Sequence, residues 1–335
     1  MTKRLLLAVA AAPVVAAVLA PPSSAATTAR FGGDDRWETA AEVSAFAFGD
    51  GADTVYIASG ETYPDALAGG AAAAAEGGPV LLTMRDELPD ATLAELNRLT
   101  PTTVRVLGGE ASVSEEVVAA IEEATGAAEV VRIAGNNRYT TAVELSQRTF
   151  EPDVNNVVVV SGELFPDALA GGAIAAARGG PVLLVEHDEI PHTVGLELDR
   201  LNPDAITVLG GSAAVADDVV AELDRYTTGD VVRLAGLDRF RTAAIASAAT
   251  FETADNPRDV DIVFLASGRS FPDALAATPA AALRDAPVLI VQPGCVPGVV
   301  RDEIERLDPD TIALVGGEGS LTVGVEGGDV CEEDL

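Results

Sequence analysis

Ser59-Gly60-Glu61-Thr62-Tyr63-Pro64-Asp65-Ala66-Leu67-Ala68, then a run of small residues, then Gly78-Pro79-Val80-Leu81-Leu82: this stretch decides the reading, because it is written three times. The second copy has Ser161-Gly162, Pro166-Asp167-Ala168-Leu169-Ala170 and Gly180-Pro181-Val182-Leu183-Leu184. The third has Ser267-Gly268, Pro272-Asp273-Ala274-Leu275-Ala276 and Ala286-Pro287-Val288-Leu289-Ile290. The three aspartates stand about 100 residues apart, the size of a small domain. The chain is one unit repeated three times, and its function is to be sought in what the copies share.

Residues 54–58, 157–160 and 262–266 are short apolar runs that stop at the Ser-Gly pair. Such runs, bounded by turns, suit strands buried on both faces. Pro64 suits the first position of a helix, and Asp65 its first turn, where a carboxylate faces the positive end of the helix dipole. The helix that follows is nearly free of side chains: Ala66, Ala68, Gly69, Gly70 and then alanines. A helical glycine costs ~1 kcal/mol against alanine, so a close neighbour is expected here, namely the same helix of the other units. A second buried strand follows at Pro79 to Leu82, then a helix with Leu93, Leu96 and Leu99. A third strand at 103–107 ends at Gly108-Gly109, with copies at 207–211 and 312–317. Ser112 with Glu115 has the spacing of a capping box for one more helix. Each unit opens alike: Arg30, Gly33, Arg36-Trp37 and Thr39-Ala40; then Arg132, Gly135, Arg138-Tyr139 and Thr141-Ala142; then Arg233, Gly236, Arg239-Phe240 and Thr242-Ala243. Strands alternating with helices at these lengths predict a parallel, doubly wound, Rossmann-like α/β sheet in every unit.

Composition narrows the function. Of 335 residues, 48% are hydrophobic and 4% aromatic, so the cores are built from Ala, Val, Leu and Ile. The formal charge of −32 excludes a general nucleic-acid binder, which needs a basic face, and suits a solvated extracellular surface. Residues 1–26 have the plan of a signal peptide: Lys3 and Arg4, an apolar stretch interrupted by Pro13, then Ser23-Ser24-Ala25-Ala26. Secretion is therefore expected, without a membrane span in the mature chain. In such a chain the two cysteines, Cys295 and Cys331, are expected to pair.

Catalytic patterns are scarce. The Ser-Gly pairs have no base beside them and are not nucleophile elbows. His187 and His192 occur in one unit alone and lack zinc spacing. Glu61 and Glu163 become Arg269 in the third copy, which argues against a repeated catalytic acid. No calcium loop is present. What recurs is Arg36, Arg138 and Arg239 beside glycine turns. Backbone amides at such turns bind anions, and arginine adds a bidentate cation; pairing of each arginine with a nearby acid is the competing role.

These marks resemble the cell-wall-binding repeat type 2 family: the Arg-aromatic opening, the Ser-Gly…Pro-Asp-Ala-Leu-Ala segment, the Pro-Val-Leu-Leu strand and the Gly-Gly close. The resemblance runs from Arg30 to about Val330. It implies three Toprim-like modules about a pseudo-threefold axis, at residues 30–131, 132–232 and 233–335. It also implies non-covalent attachment to an anionic secondary polymer, teichoic-acid-like or polysaccharide, at a Gram-positive cell surface. Carried over by motif, the polymer-binding residues are Arg36, Arg138 and Arg239, with Pro79, Val80, Leu81, Leu82, Pro181, Val182, Leu183, Leu184, Pro287, Val288, Leu289 and Ile290. The third copy departs most: Ala286 precedes its proline, no Gly-Gly pair follows Ala276, and Arg269 replaces glutamate. Its competence to bind is the least supported by the pattern. The resemblance leaves no stretch for a separate catalytic domain, so a non-enzymatic protein without cofactor or metal is expected. The alternatives are a wall hydrolase, amidase-like, with its site inside the repeats, and a self-assembling surface-layer component.

Overall fold

The structure is a computed structural model that describes residues 26–62, 66–126, 129–164, 167–251 and 260–332. The leader and the Pro64-Asp65 pair lie outside these residues. Its elements form three parallel four-stranded sheets. Helices flank each sheet.

The chain enters through β1 (Thr27–Phe31) and α1 (Arg36–Ala47). It then builds β2 (Thr54–Ser59), α2 (Gly69–Ala75), β3 (Val80–Thr83), α3 (Asp90–Leu99), β4 (Thr103–Leu107), α4 (Glu115–Thr125) and β5 (Glu129–Ile133). The plan repeats as α5 (Arg138–Thr149), β6 (Val157–Ser161), α6 (Gly171–Arg178), β7 (Val182–Val185), α7 (His192–Leu201), β8 (Ile206–Leu209), α8 (Asp217–Leu223) and β9 (Val231–Leu234). The third pass gives α9 (Arg239–Ala248), β10 (Ile262–Ser267), α10 (Pro272–Ala282), β11 (Val288–Val291), α11 (Gly298–Leu307), β12 (Thr311–Val315) and the short α12 (Val323–Glu326).

Strand order is β3-β2-β4-β5, then β7-β6-β8-β9, then β11-β10-β12-β1. In each sheet the chain moves one strand to one side, then crosses back to the other. The crevice beyond the carboxyl ends of the two central strands is where such sheets bind ligands.

The sequence repeat and the sheet do not share a boundary. β5 opens the second repeat but completes the first sheet, pairing Thr103 with Glu129 and Leu107 with Ile133. β9 does the same for the second sheet. The third sheet is completed by β1, with Thr27 opposite Thr311 and Phe31 opposite Val315. The first and last strands among the described residues are thereby joined in one sheet. Arg30 reinforces the joint: it donates to the carbonyls of Gly316 (2.8 Å) and Leu321 (2.9 Å) and pairs with Glu326. Arg132 and Arg233 clamp Gly108 and Gly210 in the same manner.

The small-residue helices meet as their composition requires. α2, α6 and α10 all touch one another. A Cβ on Gly70 would stand 2.7 Å from the Thr278 methyl, and one on Gly172 2.8 Å from it. Thr278, buried in α10, occupies the space that the two glycines leave.

Away from this centre, a buried glutamate recurs on α3, α7 and α11. Glu95, Glu197 and Glu303 each pair with the arginine one turn later, Arg98, Arg200 and Arg306. Those arginines also donate to the carbonyls of Phe48, Phe150 and Phe251. Each pair thus fixes the end of α1, α5 or the segment after α9 to the helix beside it.

Candidate binding clefts between the modules

The Ser-Gly turn follows the central strand of each sheet. Ser59 Oγ accepts from the amides of Glu61 and Thr62 at 3.2 Å, and Ser161 Oγ from those of Glu163 and Leu164. Ser267 Oγ accepts from Arg269 N at 3.3 Å. The glycine is required because an aromatic ring lies on it. A Cβ at Gly162 would stand 2.5 Å from Tyr139, and one at Gly268 2.7 Å from Phe240; Trp37 covers Gly60 likewise. The arginine before each ring donates to the same glycine's carbonyl: Arg36 to Gly60, Arg138 to Gly162, and Arg239 to Gly268 at 2.6 Å. The Arg-aromatic pair is therefore a clamp on the Ser-Gly turn.

Two of these arginines, Arg36 and Arg239, also act on the aspartate of the preceding unit. Asp273, almost fully buried, accepts from Ser320 Oγ at 2.5 Å. Burial raises its pKa, and the Ser320 hydrogen bond and the Arg36 charge oppose that rise. Asp167 is raised by burial too, opposed by a hydrogen bond from Thr242 and the charge of Arg239, while Asp238 adds to the rise. Each of these aspartates packs under the Gly-Gly close of its own sheet. Gly316 (φ 129°) and Gly210 (φ 112°) would bring a Cβ to 2.8 Å and 3.1 Å from the carboxylates of Asp273 and Asp167.

Four motifs widely separated in sequence thus converge at one kind of place: the carboxyl ends of one sheet, faced by the first helix of the next unit. At the seam between the third sheet and α1 they surround an open cleft of about 310 Å³. Its walls carry Asp34, Asp35, Arg36, Thr39, Arg269 and Asp273. Asp35 is engaged, since its carboxylate caps α1 through the amides of Trp37 and Glu38. Thr39 lines this cleft, and Thr242 hydrogen-bonds Asp167 at the other seam. Their signal was the repeated Thr-Ala after the Arg-aromatic pair, which reads equally well as plain helix.

The Pro-Val-Leu-Leu segments sit elsewhere. Pro79, Pro181 and Pro287 immediately precede β3, β7 and β11, and each carbonyl accepts from the central strand; a missing amide is tolerated at a strand's entrance. Val80, Leu81, Leu82, Val182, Leu183, Leu184, Val288, Leu289 and Ile290 are all buried. They have no surface to offer a polymer, so direct contact by these side chains is corrected to a supporting role. Their strands carry the floor on which the clefts stand.

Cys295 and Cys331 form a disulfide. It secures a tail already paired by Val296 and Val330. His187 and His192 are exposed at the rim of the second unit. Among the described residues there is no group of three or more metal-ligating side chains, and no helix long and apolar enough to cross a membrane.

The sequence profile described as cell wall binding domain 2 (CWB2) matches residues 30–118, 132–220 and 233–326. The amidase enhancer of Bacillus subtilis (strain 168) is 28% identical over 298 residues, covering 89% of this chain and 39% of the relative. The N-acetylmuramoyl-L-alanine amidase LytC of the same organism is 28% identical over 215 residues, covering 64% and 41%. Among solved structures, Cwp6 from Clostridium difficile superposes with a TM-score of 0.80 at 26% identity, over 92% of this chain and 48% of that one. Cwp8 from the same organism gives 0.79 at 24% identity, over 90% and 51%, a likeness of fold. The chain spans two fifths to one half of the length of these relatives.

Proposed function

Because the chain belongs to the cell wall binding domain 2 family, we propose that it is a secreted, non-catalytic protein of the Gram-positive cell surface that grips an anionic secondary wall polymer in its inter-module clefts. The observation that carries this is the convergence of the repeated motifs. Arginine, Ser-Gly turn, buried aspartate and Gly-Gly close share few neighbours in sequence, yet all meet at the seam before α1, and arginine, aspartate and Gly-Gly close meet again at the seam before α9. A repeated scaffold explains the glycines. It does not by itself explain a carboxylate buried at a cost beside an open cleft.

The three seams succeed one another around the joined first and last strands, which supports a pseudo-threefold arrangement of modules 30–131, 132–232 and 233–335. A polymer that reaches more than one cleft gains avidity without new contacts. Cell-wall relatives support the location. The amidase named among them is matched over less than half of its length, and we assign no hydrolytic step to this chain.

The test is sedimentation of the purified protein with isolated Gram-positive walls, native or stripped of secondary polymer. Binding that is lost on stripping supports the proposal. Equal binding to both, or release of soluble peptidoglycan fragments by the protein, refutes it.

A further inference from the structure

We propose that the three clefts are not equivalent, and that the one between the third sheet and α1 binds an acidic saccharide unit, with Arg269 as the residue that sets it apart. This rests on the wall-polymer reading above.

The asymmetry begins in the turn after Ser-Gly. The first two copies place Glu61 and Glu163 there; the third places Arg269. Arg269 is exposed and lines the cleft. Among the described residues its guanidinium makes no hydrogen bond or ion pair. Arg241 and Arg284 share that lack, but Arg269 alone of the three lines this cleft, in a chain with 53 acidic and 21 basic residues where Arg85, Arg105, Arg132 and Arg148 all hold carboxylates. Arg36 lines the same cleft and is also exposed, whereas Arg138 and Arg239 in the other seams are half-buried. Only one Nη of Arg36 is committed to Gly60. Two guanidinium groups lining one cleft can together hold one carboxylate or phosphate.

The other polar groups fit a sugar carrying that anion better than a bare anion. Ser270 can donate or accept, and the Asp34 carboxylate can accept from sugar hydroxyls. A cleft of about 310 Å³ is at the small end of ligand sites, room for one saccharide residue of a longer chain. By contrast, the groove beside Arg85 in the first unit is walled by Asp86, Glu110, Glu115 and Glu116. Glu61 there accepts from the Arg85 amide at 2.8 Å. An anion meets like charge at that position.

The experiment compares wild type, Arg269→Glu and Glu163→Arg in sedimentation with isolated Gram-positive walls. Circular dichroism melts check that each variant is folded. Three wall preparations are used: untreated, carboxylates amidated with carbodiimide and amine, and phosphodiesters cleaved with hydrofluoric acid. R269E is expected to weaken binding to untreated walls roughly tenfold or more, as loss of a charge-assisted contact does. E163R, which writes the same cation into the second cleft, is expected to tighten it. The treatment that abolishes the difference between wild type and R269E identifies the anion as carboxylate or phosphate. Equal affinity of R269E and wild type overturns the proposal and leaves wall attachment standing. So does a deficit that neither treatment removes, or an E163R variant that binds no better than wild type. Wild type that fails to sediment with untreated walls overturns the wall-polymer reading and this proposal together.

Discussion

Replacing both Gly70 and Gly172 by alanine should force apart the helices at the centre of the molecule. The added Cβ atoms would lie 2.7 Å and 2.8 Å from a single methyl, Thr278 Cγ2. Thr278 stands between them, so a move away from one is a move toward the other. Its β-branch is stiff in a helix and its hydroxyl donates to Ala274 O at 3.1 Å. Overpacking of this kind costs ~1–3 kcal/mol per site. The helix preference of alanine over glycine returns up to ~1 kcal/mol per site. The net expectation is a loss of about 1–3 kcal/mol for the pair of substitutions. Thr278→Ala removes Cγ2 and Oγ1 but keeps Cβ, which would lie 2.9 Å from a Cβ at Gly70. Alone it should cost about 1 kcal/mol, through the small void it leaves. In the Gly70→Ala/Gly172→Ala background it should instead restore part of the stability, because the new methyls occupy the space that Cγ2 and Oγ1 leave. The assay is urea unfolding followed by circular dichroism on the four proteins of this cycle. The reasoning predicts a coupling of at least ~1 kcal/mol between the glycine pair and Thr278. Additive losses would show that the three helices do not meet at Thr278, and would refute the packing described.

Other perturbations test other joints. Arg30→Ala leaves the carbonyls of Gly316 and Leu321 without their side-chain donor and should cost about 1–3 kcal/mol; faster amide exchange within β12 than within β4 would confirm that the loss is local. Reduction of Cys295–Cys331, or Cys331→Ser, should cost about 3–4 kcal/mol on chain-entropy grounds for a separation of 36; a urea midpoint unchanged by reductant would contradict this. Asp273→Asn should stabilise the protein at neutral pH. Burial raises the folded pKa of Asp273, so the unfolded chain ionises first as pH rises through about 3.9 and folding is penalised above that. The advantage of the variant should fade as pH falls toward 4, which urea midpoints at pH 7 and pH 4 would check.

Much of this fold was legible because each unit obeys local rules. The apolar runs ending at Ser-Gly are buried strands, and the side-chain-poor helices do pack on one another between units. Pro272 does start a helix, α10. In the other described copy of this segment, Asp167–Ala170 is a 3-10 turn before α6. The predicted capping box at Ser112 gives way to Ser114, which caps α4 by accepting from Val117 N; two serines so close offer the same local chemistry, and Val113 decides between them by being buried. What periodicity could not show is partnership at a distance. β5 has the same apolar alternation whether it joins the sheet before it or the one after. β1 gives no hint that its partner is nearly 300 positions away.

The site was less legible, and for a reason that bears on how it works. A buried apolar strand and a polymer-contacting strand can be written with the same letters, so Pro-Val-Leu-Leu carried no information about exposure. The arginines posed the opposite difficulty. Each donates to a glycine carbonyl 24 to 29 positions on, a partner that no local charge pattern announces. A guanidinium spends one donor on such a carbonyl and keeps its charge. Arg36 therefore positions the Ser-Gly turn and still acts on Asp273 across the seam. A lysine could make either contact, but a point charge lacks the fork needed to make both. The same geometry joins two modules and leaves a cation at the edge of the cleft between them. Assembly of the modules and construction of the binding surface are then one event, since no cleft wall is complete until the next unit, or for the last unit the first, has docked.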